Sequence, residues 1–506
     1  MIYDVAIVGC GPVGALAANL LGRAGLSVLV LEKELEHYPL PRAVHLDHEM
    51  MRLFQSAGVI GRVLPDMIAA DGHLHVGADH GVIRYMGTVG KPQPFGWAND
   101  WFFYQPELEA HLREGMDALE RVELELGAEF TGLEQDADGV TLRYVAEGAE
   151  RSVRARWVIA ADGSRSPVRK ALGVALDDLH FEEPWLVVDA EVEGPVTFPP
   201  LTGVPAGADL QRLSVMMCDP ARPATVVPGR GNHRRWEFML LPHEDDAAMM
   251  QPEKVGELVG AWMKDVPHTI VRAATYRFHG LVAERWQVGR VFLAGDAAHQ
   301  TPPFFGQGMC HGLRDVANLA WKLAAVATGA PEAILATYQP ERDPHVRAVI
   351  GAAVAAGRYI CELDPAKAAA RDAAIRAASA QKQGETAADL IPAIAAGLIA
   401  PGTPGAGERF IQPLLADGRR LDDLAGQGWR LFVRGPAVAG EDAGVKRFDA
   451  ASLPDGGAVL GWLDARGMDA VLIRPDHYVF GAEAGSALSL LRTRAGLLGQ
   501  TMEHTA

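Results

Sequence analysis

The chain has 506 residues, 49% of them hydrophobic and 22% charged, which is enough apolar material for two or three domains and too much for wholesale disorder. With 47 basic and 64 acidic residues the formal charge is −17, which argues against a nucleic-acid surface, since tracking phosphates needs clustered Lys and Arg. Four cysteines (Cys10, Cys218, Cys310, Cys361) form no CxxC and no zinc spacing, so disulfide scaffolds and zinc modules drop out and a reducing cytoplasm is expected.

In chain order, Tyr3 to Val8 predicts a strand, Gly9-Cys-Gly-Pro-Val-Gly14 a turn, and Val13 to Ala24 a helix. Gly22 and Gly25 interrupt the apolar run from Val13 to Leu31, and Asp4 sits inside the opening segment, so neither a membrane span nor a signal peptide is expected. Ser27 to Leu31 reads as a second buried strand, followed by Glu32 and Lys33. In such a unit Gly9 permits the tight turn, Gly11 lets a pyrophosphate approach the backbone, and Gly14 lets helix and strand pack closely. Pro12 and Val13 open the helix, whose free N–H groups and positive dipole end face the phosphates. Glu32, 18 residues after Gly14, stands where a carboxylate binds the hydroxyls of an adenosine ribose. This turn alone leaves NAD and the ADP half of FAD as alternatives.

Trp157 to Ala161 predicts another strand, with Asp162-Gly163 as the turn after it. Arg290 to Ala294 is a further strand ending in Gly295-Asp296-Ala-Ala-His299, then Pro302-Pro-Phe-Phe-Gly306-Gln307-Gly308 and a long helix with an apolar stripe through Leu313, Val316, Ala320 and Leu323. A flavin needs such a second region, because its ribityl chain and ring extend beyond the pyrophosphate. Asp296 can hold ribityl hydroxyls, and the Gly306–Gly308 backbone can approach the ring, with the helix dipole favouring negative charge there.

The succession of GxGxxG, the Asp-Gly turn, GDAAH and the Pro-rich GQG helix resembles the class A flavoprotein aromatic hydroxylases, the p-hydroxybenzoate hydroxylase-like monooxygenases, over roughly residues 1–345. Cys218 to Pro223, Arg234 to Pro242 and Asn318 to Lys322 are similar to the 3-(3-hydroxyphenyl)propionate hydroxylases within that family. The resemblance implies non-covalent FAD, NADH or NADPH as co-substrate, O2, and a small aromatic substrate. It also implies FAD contacts for Arg42 and Gln105, a nicotinamide-nucleotide contact as well for Asp162, and places His299 and Pro302 beside the ring as catalytic candidates. For His299 the alternative is a histidine that orders its loop.

The expected fold is α/β: a Rossmann-like FAD domain in two parts (1–170 and 286–345) with an inserted β-sheet substrate domain (171–285). A helical segment and linker (346–407) follow, then a small thioredoxin-like α/β unit (408–506) without CxxC. A phenol with an acidic side chain is the expected substrate, its carboxylate held by at least one of the cluster Arg212, Arg222, His233, Arg234 and Arg235, with Arg212, Arg222 and Arg234 as the chosen candidates; the alternative is that these arginines are solvated or paired with Glu237 and Asp219. The 17 histidines offer no separable two-His-one-carboxylate trio, so no metal site is expected. A homodimer is compatible with the Ala-rich helices at 345–400. A flavin halogenase and a non-enzymatic flavin redox sensor are the competing classes; the halogenase lacks its WxWxIP segment here.

Overall fold

Near-continuous runs of buried Val, Ile, Leu and Ala in Ile2–Val8 and Val28–Glu32 mark strands covered on both faces, as a parallel sheet requires. In the computed structural model, which describes residues 2–36, 38–381, 390–435, 444–485 and 487–499, Ile2–Val8 runs parallel between Val28–Glu32 and Ala149–Ala160. Val291–Leu293 extends the sheet beside Ala149–Ala160, and Val122–Leu126 closes the other flank. The strands at 2–8, 149–160 and 291–293 therefore lie side by side. Their C-terminal ends deliver the turns at 9–14, 162–163 and 295–299 to one edge, where open α/β sheets bind ligands.

A second eight-stranded sheet stands beside the first, built around Leu176–Val192, His233–Met239, Ala224–Pro228 and Ser214–Met217. It is larger than the segment 171–285. Gly72–Val76 pairs in parallel with Ser214–Met217, Val82–Gly87 continues from it, and His299–Gln300 adds to the far edge. Local patterning cannot show a pairing across so long a separation. The two faces of this sheet differ sharply. Leu74, Val76, Val215, Trp236 and Phe238 pack on one side against Val255, Val259 and Met263 of the helix Pro252–Met263. The alternate residues face the flavin-type sheet, and many are polar.

A small three-stranded sheet (His45–Asp47, Asp100–Phe102, Ile68–Ala70) bridges the two. The helices Gly308–Ala327, Tyr338–Ile360 and Pro365–Gln381 follow; the sequence from Pro365 to Gln383 reads as one Ala-rich helix, of which residues 382–383 lie outside the described residues. The C-terminal unit has its own four-stranded sheet, ordered Val445–Asp449, Trp429–Val433, Ala470–Ile473, Val479–Glu483, over a core that includes Phe410, Phe432 and Trp462. It docks on the main body through buried ion pairs, Arg52 with Asp422 (2.6 Å) and Glu341 with Arg474 (2.6 Å), and Glu341 also pairs with Lys322 (3.1 Å) within the main body. No helix among the described residues is long and apolar enough to cross a membrane.

Candidate flavin and substrate site

At the first turn the three glycines serve different needs. Gly9 has φ +98°, and a Cβ there would lie 2.4 Å from the Ala161 carbonyl oxygen; a Cβ on Gly14 would lie 2.0 Å from the Gly9 oxygen. Both are glycines because backbone passes too close for any side chain. Gly11 is different, because nothing lies within 4 Å of its would-be Cβ. It opens onto free space at the N-terminus of Pro12–Arg23, where Pro12 occupies the first helical turn. Val13 packs against Gly295 and Gly312, which locks this turn to the GDAAH turn and the helix after it. Glu32 is oriented by backbone donors, accepting from Cys10 N–H (2.7 Å) and Glu34 N–H (3.0 Å). Lys33 is exposed and pairs with Glu34.

The second and third turns leave polar atoms without protein partners. Asp162 accepts from the Val168 N–H through Oδ2, while its Oδ1 has no partner, and burial pushes its carboxyl pKa up. Gly163, with φ +81°, follows it. The Asp296 side chain is open to solvent and accepts no hydrogen bond among the described residues, yet the surrounding walls desolvate it enough to raise its carboxyl pKa. It therefore lies in a trench within the protein.

His299 is tied inward: its Nε2 lies 2.7 Å from Asp315, which also accepts from Gly295 N–H (3.1 Å) and Arg342 Nε (2.9 Å). This arrangement orders the turn that presents Asp296. Pro302 is buried at the start of the Pro-rich stretch, and Gly306, at φ +60°, turns the chain into Gln307 and Gly308. Gln307 accepts from Arg314 (3.0 Å), and its buried Nε2 has no partner. Gln105 accepts from the N–H groups of Arg42 (3.0 Å) and Ala43 (2.7 Å), so it pins the Pro41–Ala43 segment; the Arg42 side chain is exposed over the Tyr38 ring.

The substrate-sheet face opposite this trench alternates out of His233–Met239. Arg235 donates to the carbonyls of Pro41 (2.6 Å) and Arg42 (2.7 Å), and Met239 joins the core that contains Trp185, Met216 and Phe304. Glu237 lies between them on the same face, flanked across the strands by Val187 and Thr225. The floor thus runs from the Arg42 segment to the Pro-rich segment that leads into Gly306.

These groups fit FAD: open space at a helix N-terminus, an oriented carboxylate at the second strand, and unpartnered polar atoms along the line from Asp162 to Gln307. A family model described as an FAD binding domain matches residues 2–353. The chain belongs to the class A FAD-dependent aromatic hydroxylases. It is 37% identical over 527 residues to a probable NADH-specific resorcinol 4-hydroxylase of Rhodococcus jostii, covering 99% of this chain and 94% of that one. A 3-(3-hydroxy-phenyl)propionate/3-hydroxycinnamic acid hydroxylase of Burkholderia vietnamiensis is 36% identical, with 94% and 93% covered. Among solved structures, the flavin-dependent monooxygenase PieE with FAD and substrate matches at a TM-score of 0.80 and 25% identity, covering 99% of this chain and all of that one. Aklavinone-11 hydroxylase with FAD and aklavinone matches at 0.78 and 25%. The protein is a flavin monooxygenase that uses FAD, with NAD(P)H as co-substrate.

Of the cluster expected to hold a carboxylate, Arg212, Arg222 and Arg234 do not converge in this hydroxylase, whereas His233 and Arg235 lie together on the flavin-facing face, both bound to Asp189. Arg222 makes a two-pronged pair with Glu244 (2.6 and 2.8 Å) and donates to the Met239 carbonyl. Arg212 binds Asp71 and the Ala69 carbonyl. Arg234 alternates to the face opposite Arg235 and donates to nearby carbonyls of Gly231 and His233. Arg212 and Arg234 both border a cleft of about 180 Å³ that Phe102 and Pro228 also line.

What the sequence reading missed is a buried histidine cluster against the flavin turn. His45 Nε2 lies 2.9 Å from Asp100, and the His73 ring sits edge-on to His45 at 5.1 Å between centroids. Nitrogen and oxygen atoms of His45, His73 and Asp100 all lie within 4.8 Å of one another. A Cβ on Gly306 would lie 2.6 Å from His45 Nδ1, so the cluster abuts the Gly306–Gly308 turn. Burial opposes charge on His45, but the hydrogen bond and charge of Asp100 win and hold its pKa above the ordinary histidine value. Burial, with His45 beside it, pushes His73 down to about 4, so it is neutral at pH 7; neither ring nitrogen has a partner. His73-x-His75 and His45 were the available signals, but His45 meets Asp100 through the pairing of two strands in one sheet and His73 comes from another sheet, so their convergence depends on the tertiary fold.

Proposed function

We propose that the protein hydroxylates a phenol, using NADH or NADPH and O2, and that the His45–His73–Asp100 cluster takes up the phenolic proton. The balance is phenol plus O2, NAD(P)H and one proton, giving a dihydroxylated ring, water and NAD(P)+. Bound FAD supplies hydride acceptance from NAD(P)H and transfer of one oxygen atom from O2. Electrophilic oxygen needs an electron-rich ring, so the substrate hydroxyl must give up its proton as it reacts.

The protein's residues serve that requirement. Gly11, the helix N-terminus and Glu32 would bind the adenosine diphosphate part, and Asp296 the ribityl hydroxyls. Gly306, Gln307 and Gly308 would hold the pyrimidine edge of the ring, with the dipole of Gly308–Ala327 favouring negative charge. Pro302, Phe304, Trp185 and Met239 exclude water from one end of the floor. Neutral His73 offers acceptor nitrogen, and His45, backed by Asp100, keeps the proton. His299 acts as a positioning residue through Asp315, and Asp162 and Arg42 remain candidates for nucleotide contact at the trench mouth.

The observation that carries this reading is the buried cluster lying against Gly306. A substrate carboxylate clamp drawn from Arg212, Arg222 and Arg234 would first have to displace Asp71, Glu244 and local carbonyls, so the reading names a phenol without requiring an acidic chain. The test is a panel of phenols and phenolic acids, with NAD(P)H oxidation and product followed together. The expected result is phenol-stimulated consumption coupled to a dihydroxylated product. Bound FAD with no phenol stimulating NAD(P)H oxidation would leave the redox-sensor account instead.

A further inference from the structure

Glu237 differs from Asp189, the acid nearest to it on the flavin-facing side of the substrate sheet. Asp189 on the neighbouring strand is saturated: it accepts from His233 (3.0 Å) and Arg235 (2.9 and 3.1 Å) and lies 3.8 Å from Arg272. Arg235 and Arg272 are in turn fixed on the Pro41 carbonyl. Glu237 has no hydrogen bond and no ion pair among the described residues, although Arg235 is two positions away on the same face. Val187 and Thr225, its cross-strand neighbours, are buried, so the carboxylate rises from an otherwise closed floor. It sits between the Arg42 segment, which Arg235 anchors, and the core of Phe304 next to the Gly306 turn.

We propose that Glu237 is a specificity-determining residue, whose carboxyl group hydrogen-bonds a second hydroxyl of the aromatic substrate, so that the enzyme takes neutral phenols bearing an additional hydroxyl and disfavours phenols with a carboxylate chain. This deepens the hydroxylase reading and rests on it. A half-buried acceptor without a donor is costly, and a substrate hydroxyl supplies that donor. An anionic side chain at the same place would meet an acid whose nearest cation, Arg235, is already shared between Asp189 and two carbonyls. Burial and the charge of Asp189 push the Glu237 carboxyl up to about 7 against the pull of Arg235, so its repulsion of an anion grows as pH rises through neutrality.

The test uses the full-length FAD-loaded enzyme and the variants Glu237→Gln and Glu237→Ala, with benzene-1,3-diol, 3-ethylphenol and 3-(3-hydroxyphenyl)propionate as probes. Dissociation constants are read from the perturbation of the flavin absorbance, and kcat and KM separately. Wild type should bind the diol about tenfold or more tighter than the alkylphenol, and Glu237→Ala should erase that preference. Wild type should lose propionate binding between pH 6 and 8, and Glu237→Gln should tighten that binding about tenfold and flatten its pH dependence. Equal wild-type affinity for diol and propionate, or variants that shift all three probes alike, would overturn the role of Glu237 while leaving the hydroxylase intact. Failure of every phenol to stimulate wild-type NAD(P)H oxidation would instead overturn the hydroxylase reading. If Glu237→Ala does not fold, the Gln variant and the wild-type pH series decide alone.

Discussion

The flavin trench and the dock of the C-terminal unit are both rich in polar side chains, yet they handle them in opposite ways. At the dock the main buried charges are paired: Arg52 and Arg430 share Asp422, and Arg474 and Lys322 share Glu341. Along the trench, among the described residues, solvent-open Asp296 and half-buried Glu237 accept no hydrogen bond and both nitrogens of buried His73 have no partner. Burying unpaired polar groups costs free energy, so a fold retains them where a ligand completes them. Paired buried charge holds the dock together, and along the trench a ligand would complete the groups left open.

Replacing His45 should sharpen that contrast most. His45→Ala is expected to lower kcat by about 100- to 10,000-fold while FAD stays bound, as for loss of a proton acceptor. In wild type the rate should climb with pH through a value above the ordinary histidine pKa, because Asp100 stabilises the protonated ring; Asp100→Asn should move that limb to lower pH. A pH profile of kcat/KM checks both.

At the dock, Glu341→Gln leaves Lys322 buried without its paired carboxylate and Arg474 with Asp476 alone, and about 3–5 kcal/mol of stability should go, measured by denaturant unfolding. A variant of equal stability would show that the dock's charges are as dispensable as surface pairs. Asp296→Ala should weaken FAD by about 1.5–3 kcal/mol per lost hydrogen bond with little change in the stability of the FAD-free protein, the reverse of the Glu341 pattern. Titrating FAD into both variants makes the comparison direct.

Acid should act at the dock in a defined window. Although burial favours the neutral acid, Arg474 and Lys322 hold the Glu341 carboxyl down to about 2. Its contribution is present above the unfolded-chain value of about 4.3 and is lost as pH falls toward 2. Tryptophan emission is the probe, since Trp321 lies 5.4 Å from the Arg474 guanidinium.

The turns of the candidate flavin site were legible as structure because their signals are local. Gly9, Gly11, Gly14 and Glu32 sit in one strand–turn–helix–strand unit, and Gly295, Asp296 and Gly306 to Gly308 in another, each carrying its own geometry. The substrate half was not, because it depends on which way a strand faces. Arg234 and Arg235 are neighbours whose side chains must point to opposite faces, and nothing in their sequence says which faces the flavin. Likewise His45 and Asp100 meet only because two strands 55 residues apart pair, and His73 belongs to a strand that joins a sheet composed mostly of residues beyond 170. The C-terminal strands at 429–433 and 470–473 were readable from apolar runs, whereas the ion pairs that dock them are long-range.

The wedge of Val13 between Gly295 and Gly312 has a consequence for how the chain is assembled. The first turn emerges early in synthesis, but the surfaces that close over it are made nearly three hundred residues later. Ile2–Val8 also waits for Ala149–Ala160 before both its edges are paired. Such non-local closure slows folding and leaves an apolar strand uncovered meanwhile. The nascent chain should therefore depend on chaperones until about residue 312 is available, and ribosome-bound chains halted before and after that point should differ abruptly in protease resistance.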